Sequence, residues 1–309
     1  MDWNRKLCRP PESDHDLKNI AKKAIRGAKV GDKPVIPPVE AIARYAEVKE
    51  EPEGLTSERL KDLARKFFDA LPKCFGKVRG VLDRMGKTYY VDREIHEKRQ
   101  VFTAYHEIAH DLIPWQKDAA YFDDDHTLCL SVVRRFEKEA NTLAGHLMFQ
   151  GDRFNQMAEE FELSLKTAKY LADQWGASFH AAFRQYVERN RRPCAMFIFK
   201  LTALKEFNKN PVANLPPEQI YYIAASEIFL KECGCPKPEE TLYPVIARPE
   251  LLGQLLIKGD CEGDGLILSN GRNKKRYKYQ AFTNQYDVFL MILPEKRSHF
   301  KKKVQFIRA

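Results

Sequence analysis

The apolar periodicity of this chain changes once. Up to Arg192 and Pro193, apolar residues recur mostly at helical spacing; from Ala195 onward they fall into runs of strand length, "AMFIF", "YPVIA", "GLILS", "YKYQAF" and "VFLMIL", with a helix expected around Glu218–Cys233. One chain cannot hold both textures in a single layer, so 309 residues patterned this way imply an α+β protein of more than one unit. The boundaries read from composition are residues 1–150, mainly helical with one small hairpin, residues 151–194, a helical unit closed by "RNRRP", and residues 195–309, an α+β unit. No internal repeat or low-complexity segment interrupts them. Apolar residues make up 44% of the chain, enough for folded cores and against disorder.

Within the first part, Ser13 to Ala28 reads as a helix with Leu17, Ile20, Ala21 and Ala24 on one face. "KPVIPPVEAIARYA" places Pro38 in a first turn, and "LTSERLKDLARKFFDAL" is amphipathic through Leu60, Leu63, Phe67 and Leu71. "VRGVLDRMGKTYYVD" alternates and reads as a hairpin, Val78–Asp83 with Thr88–Val91, turning at "RMGK". A helix is expected from about His96 to Leu112, stopped by Pro114, then a loop to Leu130, then a second long helix through "LSVVRRFEKEANTLAGHLMF". In the middle part, "LSLKTAKYLADQWGASFHAAFRQY" has the pattern of a helix-turn-helix with Gly176 between its helices.

The chemistry is concentrated in "YHEIAH", residues 105–110. Residues four apart share a helical face, so His106 and His110 can turn imidazole nitrogens toward one Zn²⁺. Glu107, rotated about 100° around the helix, stands where a general base takes a proton from water at the metal. A catalytic zinc needs a third protein ligand and an open fourth position. The continuation "DLIPWQKDAA" has no third histidine, so a glutamate from a later helix is expected. "FEKEAN" offers Glu137 and Glu139; Glu137 is preferred because Asn141 lies one turn below it as a polar partner able to orient a ligand histidine, whereas Glu139 is followed at that spacing by Leu143. Cys129, between the two helices, is a candidate inhibitory thiolate for the open position. Tyr105 and His126 are candidates for stabilising an oxyanion.

"RQVFTAYHEIAHDL" followed by "RFEKEANTLAGHLMF" resembles the ImmA/IrrE metallopeptidases, which carry an Arg, a Phe-Thr pair, a HExxH helix and an E-x-x-A-N helix ending in Leu-Met. The likeness is close over residues 99–149 and looser before them. Two positions depart from it: Tyr105, where a small residue usually precedes the histidine, and Gln150, where proline commonly follows Leu-Met. The resemblance implies a zinc endopeptidase whose last domain is a GAF-like sensor. It further implies cleavage of a small helix-turn-helix repressor, as in radiation-response proteins and anti-phage operons of the CBASS type. The trigger it implies is DNA damage or single-stranded DNA, in a bacterial cytoplasm.

The formal charge of +9 is uneven: Arg272 to Ala309 holds eleven basic residues against two acidic ones. Arg272, Lys274, Lys275, Arg276, Lys278, Lys301, Lys302 and Lys303 are candidate nucleic-acid contacts, and Tyr277, Tyr279, Phe282 and Phe300 interleave with them as candidate stacking partners for a single strand. No apolar run reaches membrane-spanning length, and Met1 to Pro11 lacks a signal-peptide core, so no membrane partner and a cytoplasmic location are expected. The seven cysteines follow no disulfide rhythm and suit buried thiols in a reducing compartment. A second reading of the same residues is a non-enzymatic regulator that binds DNA or a protein partner through residues 152–192 and the basic end.

Overall fold

The computed structural model describes residues 12–31, 33–52, 55–67, 79–121, 130–209, 219–269 and 274–295. They form a mixed α and β structure with one three-stranded and one five-stranded sheet, and they divide into two compact units, Pro10–Phe154 with Gln174–Ser178, and Asn155–Asp173 with Phe179–Ala309.

In the first unit, α1 (Asp14–Gly27), α2 (Val39–Tyr45), β1 (Lys49–Glu50) and α3 (Ser57–Phe67) precede the hairpin β2 (Gly80–Asp83) and β3 (Thr88–Val91), which is followed by α4 (Glu97–Leu112), α5 (Pro114–Tyr121) and α6 (Leu130–Met148). The hairpin has the expected antiparallel register, Gly80 opposite Val91 and Asp83 opposite Thr88, and β1 adds in parallel to β3, leaving β2 at the sheet edge. In its turn the left-handed residue is Lys87 (φ 49°), not Gly86. Gly86 is needed for space: the Asp83 carboxylate accepts from its N–H at 2.9 Å, and a Cβ there would lie 3.1 Å from Asp83 Cγ and closer to its oxygen.

α6 packs against both α4 and α1. Its apolar stripe, Ala140, Leu143, Ala144 and Leu147, is wholly buried, as are Leu17, Ala21 and Ala24 of α1 and Ile108 and Ala109 of α4. Small residues on each helix let the backbones approach closely, and each fully buried leucine stabilises by roughly 1.5–3 kcal/mol. Pro114 does stop α4, because the residue before a proline is driven to extended geometry, here Ile113 at φ −82°, ψ 108°. The first part of the loop expected over Pro114 to Leu130 is instead helix α5, Pro114–Tyr121; residues 122–129 lie outside the described residues. Proline at a first helical position loses no intrahelical bond, so the same residue that ends one helix begins the next. After α6 the chain turns through two left-handed residues, Gln150 (φ 51°) and Gly151 (φ 66°). A proline, locked near −65°, cannot take the first of these, which accounts for the departure at Gln150. The Gln150 amide then ties the turn to the carbonyls of Lys33 and Val35 at 3.0 and 2.7 Å.

α7 (Arg153–Glu159), α8 (Leu165–Gln174) and α9 (Phe179–Glu188) follow, with Gly176 at φ 63° between the last two. The second unit then runs β4 (Ala195–Lys200), α10 (Leu201–Lys209), β5 (Ile220–Ala225), α11 (Glu227–Cys233), a π-turn at Pro238–Leu242, α12 (Tyr243–Ile246), α13 (Pro249–Lys258), β6 (Asp260–Ser269), β7 (Lys274–Thr283) and β8 (Asp287–Pro294). The sheet order is β5-β4-β8-β7-β6, every neighbouring pair antiparallel. One face carries Phe197, Phe199, Tyr277, Tyr279, Leu290 and Ile292 into a core shared with residues of α10 to α13. The other presents Phe289 and Phe282 to Phe179, whose ring meets theirs edge-on at 4.7 and 5.4 Å. Three expectations are corrected here. "YPVIA" is helical, and the helix expected over Glu218–Cys233 is a strand followed by a short helix capped by Ser226, whose Oγ accepts from Phe229 N at 3.2 Å. α10 and α13 were not foreseen. In each case the apolar spacing fits both periods over so few residues, and packing on the sheet chose between them.

Candidate metal centre

α4 carries His106 and His110 one turn apart, and α6, packed beside it, brings in Glu137. The two Nε2 atoms lie 3.2 Å apart. Glu137 places Oε2 at 3.3 Å from His106 Nε2 and Oε1 at 3.5 Å from His110 Nε2. Ligands about 2.0–2.1 Å from a tetrahedral zinc are separated by roughly 3.3–3.4 Å along each edge, so the two nitrogens, and each nitrogen with the Glu137 oxygen nearest it, are about one such edge apart. Among the described residues this is the one group of three or more His, Cys, Asp or Glu side chains with ligand atoms this close. Both imidazoles are 14% exposed and the Glu137 side chain 38%, so the group opens toward solvent at one side. Two neutral nitrogens and a carboxylate oxygen suit a borderline divalent cation such as zinc.

The electrostatics of the group are those of a carboxylate paired with two imidazoles. Burial acts to raise the Glu137 pKa, but hydrogen bonds and charge from His106 and His110 overcome it and hold the carboxyl well below its usual range. For His106 burial acts downward, and the Glu137 hydrogen bond with the charges of Glu107 and Glu137 outweighs it, so its pKa is raised. Glu107 is buried and belongs to no ligand edge; burial raises its pKa, opposed by His106, His110 and Arg84. Its carboxylate lies over the edge strand β2. A Cβ built on Gly80 would stand 2.6 Å from Thr103 Cγ2 and 2.9 Å from Glu107 Cδ, and nearer still to Oε1. Glycine at position 80 is thus what leaves room for that carboxylate.

Asn141 donates to the Glu137 carbonyl at 2.7 Å and its side chain favours protonated His106; Nδ1 of His106 itself is buried without a partner of hydrogen-bond geometry among the described residues. Glu139, the alternative ligand, faces away from the group. It is buried and accepts from Ser13, Trp115 and Gln116. Tyr105 is no oxyanion donor: it is fully buried, and its hydroxyl donates to the Pro37 carbonyl at 2.5 Å, anchoring α4 to the start of α2. Burial raises its pKa, with a further push from the charge of Glu40. His126 and Cys129 lie outside the described residues. Three residues that matter to the geometry had no signal in the sequence: Gly80, Trp115 and Gln116, the last two within the segment read as a loop.

The candidate nucleic-acid residues are partly described. Lys274 and Arg276 are exposed on β7, Lys278 is half-buried, and Lys275 pairs with Glu232 at 2.8 Å; Arg272, Lys301, Lys302, Lys303 and Phe300 lie outside the described residues. The described aromatic residues between them, Tyr277, Tyr279 and Phe282, do not offer stacking faces. Tyr277 and Tyr279 point into the core, and Phe282 is covered by Lys169, whose Nζ sits 3.4 Å from the ring centre. On α9, Phe179 and Phe183 pack on Phe289, and His180 pairs with Asp287 at 3.2 Å. No helix among the described residues is long and apolar enough to cross a membrane.

Comparison with known proteins returns no match among curated proteins. Among solved structures, a Mycobacterium tuberculosis transcriptional regulator is similar at 14% sequence identity and a TM-score of 0.46, over 94% of this chain and 78% of that one. The Peptidase M78 family model, described as the IrrE N-terminal-like domain, matches residues 73–184, a span that holds α4, α6 and the whole ligand group. Over that segment the chain is similar to the Peptidase M78 family of IrrE N-terminal-like domains.

Proposed function

We propose that the chain is a zinc-dependent endopeptidase that cleaves a small helix-turn-helix repressor and so releases stress or anti-phage genes in response to a DNA-damage or single-stranded-DNA signal. The observation that carries the hydrolytic part is the spacing of His106, His110 and Glu137, beside a buried carboxylate that is not one of the three. Those three residues hold the cation. Zinc, when bound, supplies a Lewis acid for the scissile carbonyl and lowers the pKa of water at the site. Glu107 takes the proton of the attacking water and returns it to the leaving amine, a role for which its burial keeps the proton affinity raised against the opposing charge of the two imidazoles. Cys129 is proposed as the thiol that keeps the open position closed until a signal arrives.

The choice of a repressor as substrate, the cytoplasmic bacterial setting and the GAF-like sensor role of residues 195–309 rest on the ImmA/IrrE likeness. The single antiparallel sheet with helices on it gives such a sensor a scaffold, and exposed Lys274 and Arg276 give a polyanion an electrostatic foothold. Co-expression with a candidate repressor, with and without single-stranded DNA, tests the reading. A cut band is expected from the wild type, and none from Glu107→Gln with fold and zinc content retained. The second reading, a binding regulator, predicts unchanged regulation by Glu107→Gln.

A further inference from the structure

Gln116 of α5 has no exposed surface, and its amide is fully engaged. Nε2 donates to the Phe136 carbonyl at 3.2 Å and to Glu139 Oε2 at 3.0 Å, and Oε1 lies 2.7 Å from His110 Nδ1. The orientation of this amide is determined by its surroundings. Turned over, its oxygen would face two acceptors, Phe136 O and Glu139 Oε2, and a donor would be lost from both. Glu139 Oε2 is itself an acceptor here, since the two groups aimed at it, the Gln116 amide and Trp115 Nε1 at 2.8 Å, can only donate. The other oxygen, Oε1, accepts from Ser13 Oγ at 2.8 Å. Ser13 sits at the N-cap position of α1 yet makes no cap hydrogen bond; its hydroxyl is spent on Glu139.

The consequence falls on His110. An amide oxygen only accepts, so Nδ1 must carry a ring proton, and in the neutral ring the lone pair is then at Nε2. Nε2 is the atom 3.2 Å from His106 Nε2 and 3.5 Å from Glu137 Oε1. We propose that Gln116 and Glu139 are positioning residues that lock His110 in the Nδ1–H tautomer before any cation arrives. Glu139 acts through Gln116, with Trp115 and Ser13 holding its carboxylate from α5 and the start of α1. None of the four touches the cation. His106 has no such fixed acceptor: the Asn141 side chain favours its protonated form, but its Nδ1 is buried without a partner of hydrogen-bond geometry among the described residues, so of the two imidazoles it is His110 whose tautomer is set. This rests on the reading of His106, His110 and Glu137 as a cation site, and gives Glu139 a role distinct from ligation.

The test has two readouts. In the metal-free protein, long-range ¹H–¹⁵N correlation of the imidazoles reports the tautomer of His110 directly; separately, titration with Co²⁺ followed by its visible absorption reports affinity. Wild type is expected to show Nδ1–H at His110. Gln116→Met removes the acceptor, so the Nε2–H form should become populated and Co²⁺ affinity should fall about 10–100-fold, as for other outer partners of ligand histidines. Glu139→Leu should act in the same direction. Glu139→Gln should not, because its amide oxygen can still accept from Gln116 and Trp115 while its nitrogen meets the Ser13 hydroxyl; tautomer and affinity are expected within a few-fold of wild type. An Nε2–H His110 in the wild type, or a Gln116→Met protein with wild-type affinity and Nδ1–H retained, overturns the proposal. So does a loss of Co²⁺ binding in Glu139→Gln as large as in Glu139→Leu. A wild type with the Nδ1–H tautomer that takes up no Co²⁺ supports the device and overturns the cation site on which it was placed.

Discussion

Replacing Gly80 by alanine separates the proposed base, Glu107, from the proposed ligands His106, His110 and Glu137. The added Cβ would lie 2.6 Å from Thr103 Cγ2 and 2.9 Å from Glu107 Cδ, where carbon–carbon contacts relax to about 3.5–4.0 Å. Something must move by about 1 Å. Thr103 is held in the buried face of α4, so its contact is relieved by a shift of the edge strand β2, while the end of the Glu107 side chain swings away from the new methyl and takes the carboxylate with it. The stability cost is then modest, about 1–3 kcal/mol as for other small-to-large changes. A 1 Å misplacement of a reacting group costs on the order of 10²-fold in rate, or about 2.7 kcal/mol of transition-state stabilisation. His106, His110 and Glu137 are untouched, so zinc affinity should stay within about 2-fold of wild type on this argument. Cleavage of a peptide spanning the repressor's cut site, in parallel with zinc titration, measures both. A Gly80→Ala protein that turns over like wild type shows that the carboxylate has slack or does not take the proton. One that loses zinc together with turnover shows that strand and ligand group are mechanically coupled, and removes the separation assumed here.

Other expectations follow from the same geometry. Removing zinc with a chelator should lower the melting temperature as well as abolish cleavage, because a ligand at about 100 times its Kd adds about 2.7 kcal/mol to the native state; an unchanged melting temperature counts against a cation held by both α4 and α6. Gln150→Pro should destabilise by about 3 kcal/mol or more in urea unfolding, since φ 51° is closed to proline and two hydrogen bonds to Lys33 and Val35 are lost; a neutral result refutes that left-handed turn. Tyr105→Phe should cost about 1 kcal/mol through the lost bond to the Pro37 carbonyl, and leave kcat within a few-fold. A loss of kcat like that of Glu107→Gln would return Tyr105 to the chemistry.

The hairpin, the two long helices and the gathering of His106, His110 and Glu137 were legible because each is written in local spacing. His106 and His110 share a face on any α-helix, and Glu137 was separated from Glu139 by what lies one turn further on, Asn141 against Leu143. Where runs were short the spacing was ambiguous. "YPVIA" and the stretch before Cys233 fit helix and strand alike, and only the sheet beside them decided. The same limit hid α5, because Pro114 was counted as an ending and not also as a beginning.

What the linear chain determined, then, was which groups could reach a cation and which carboxylate stood beside it, since those relations repeat with the turn of a helix. What only the tertiary structure decided was everything set by neighbours distant in sequence. Gly80 from a strand makes room for Glu107. Tyr105 is drawn away to Pro37. Tyr277 and Tyr279 turn inward, so they offer no stacking face. Glu139 is a support for Gln116 because Ser13, 126 residues away, and Trp115 meet it there. A hydrogen bond depends on distance and direction in space, and the period of a helix carries that information for only a turn or two along the chain.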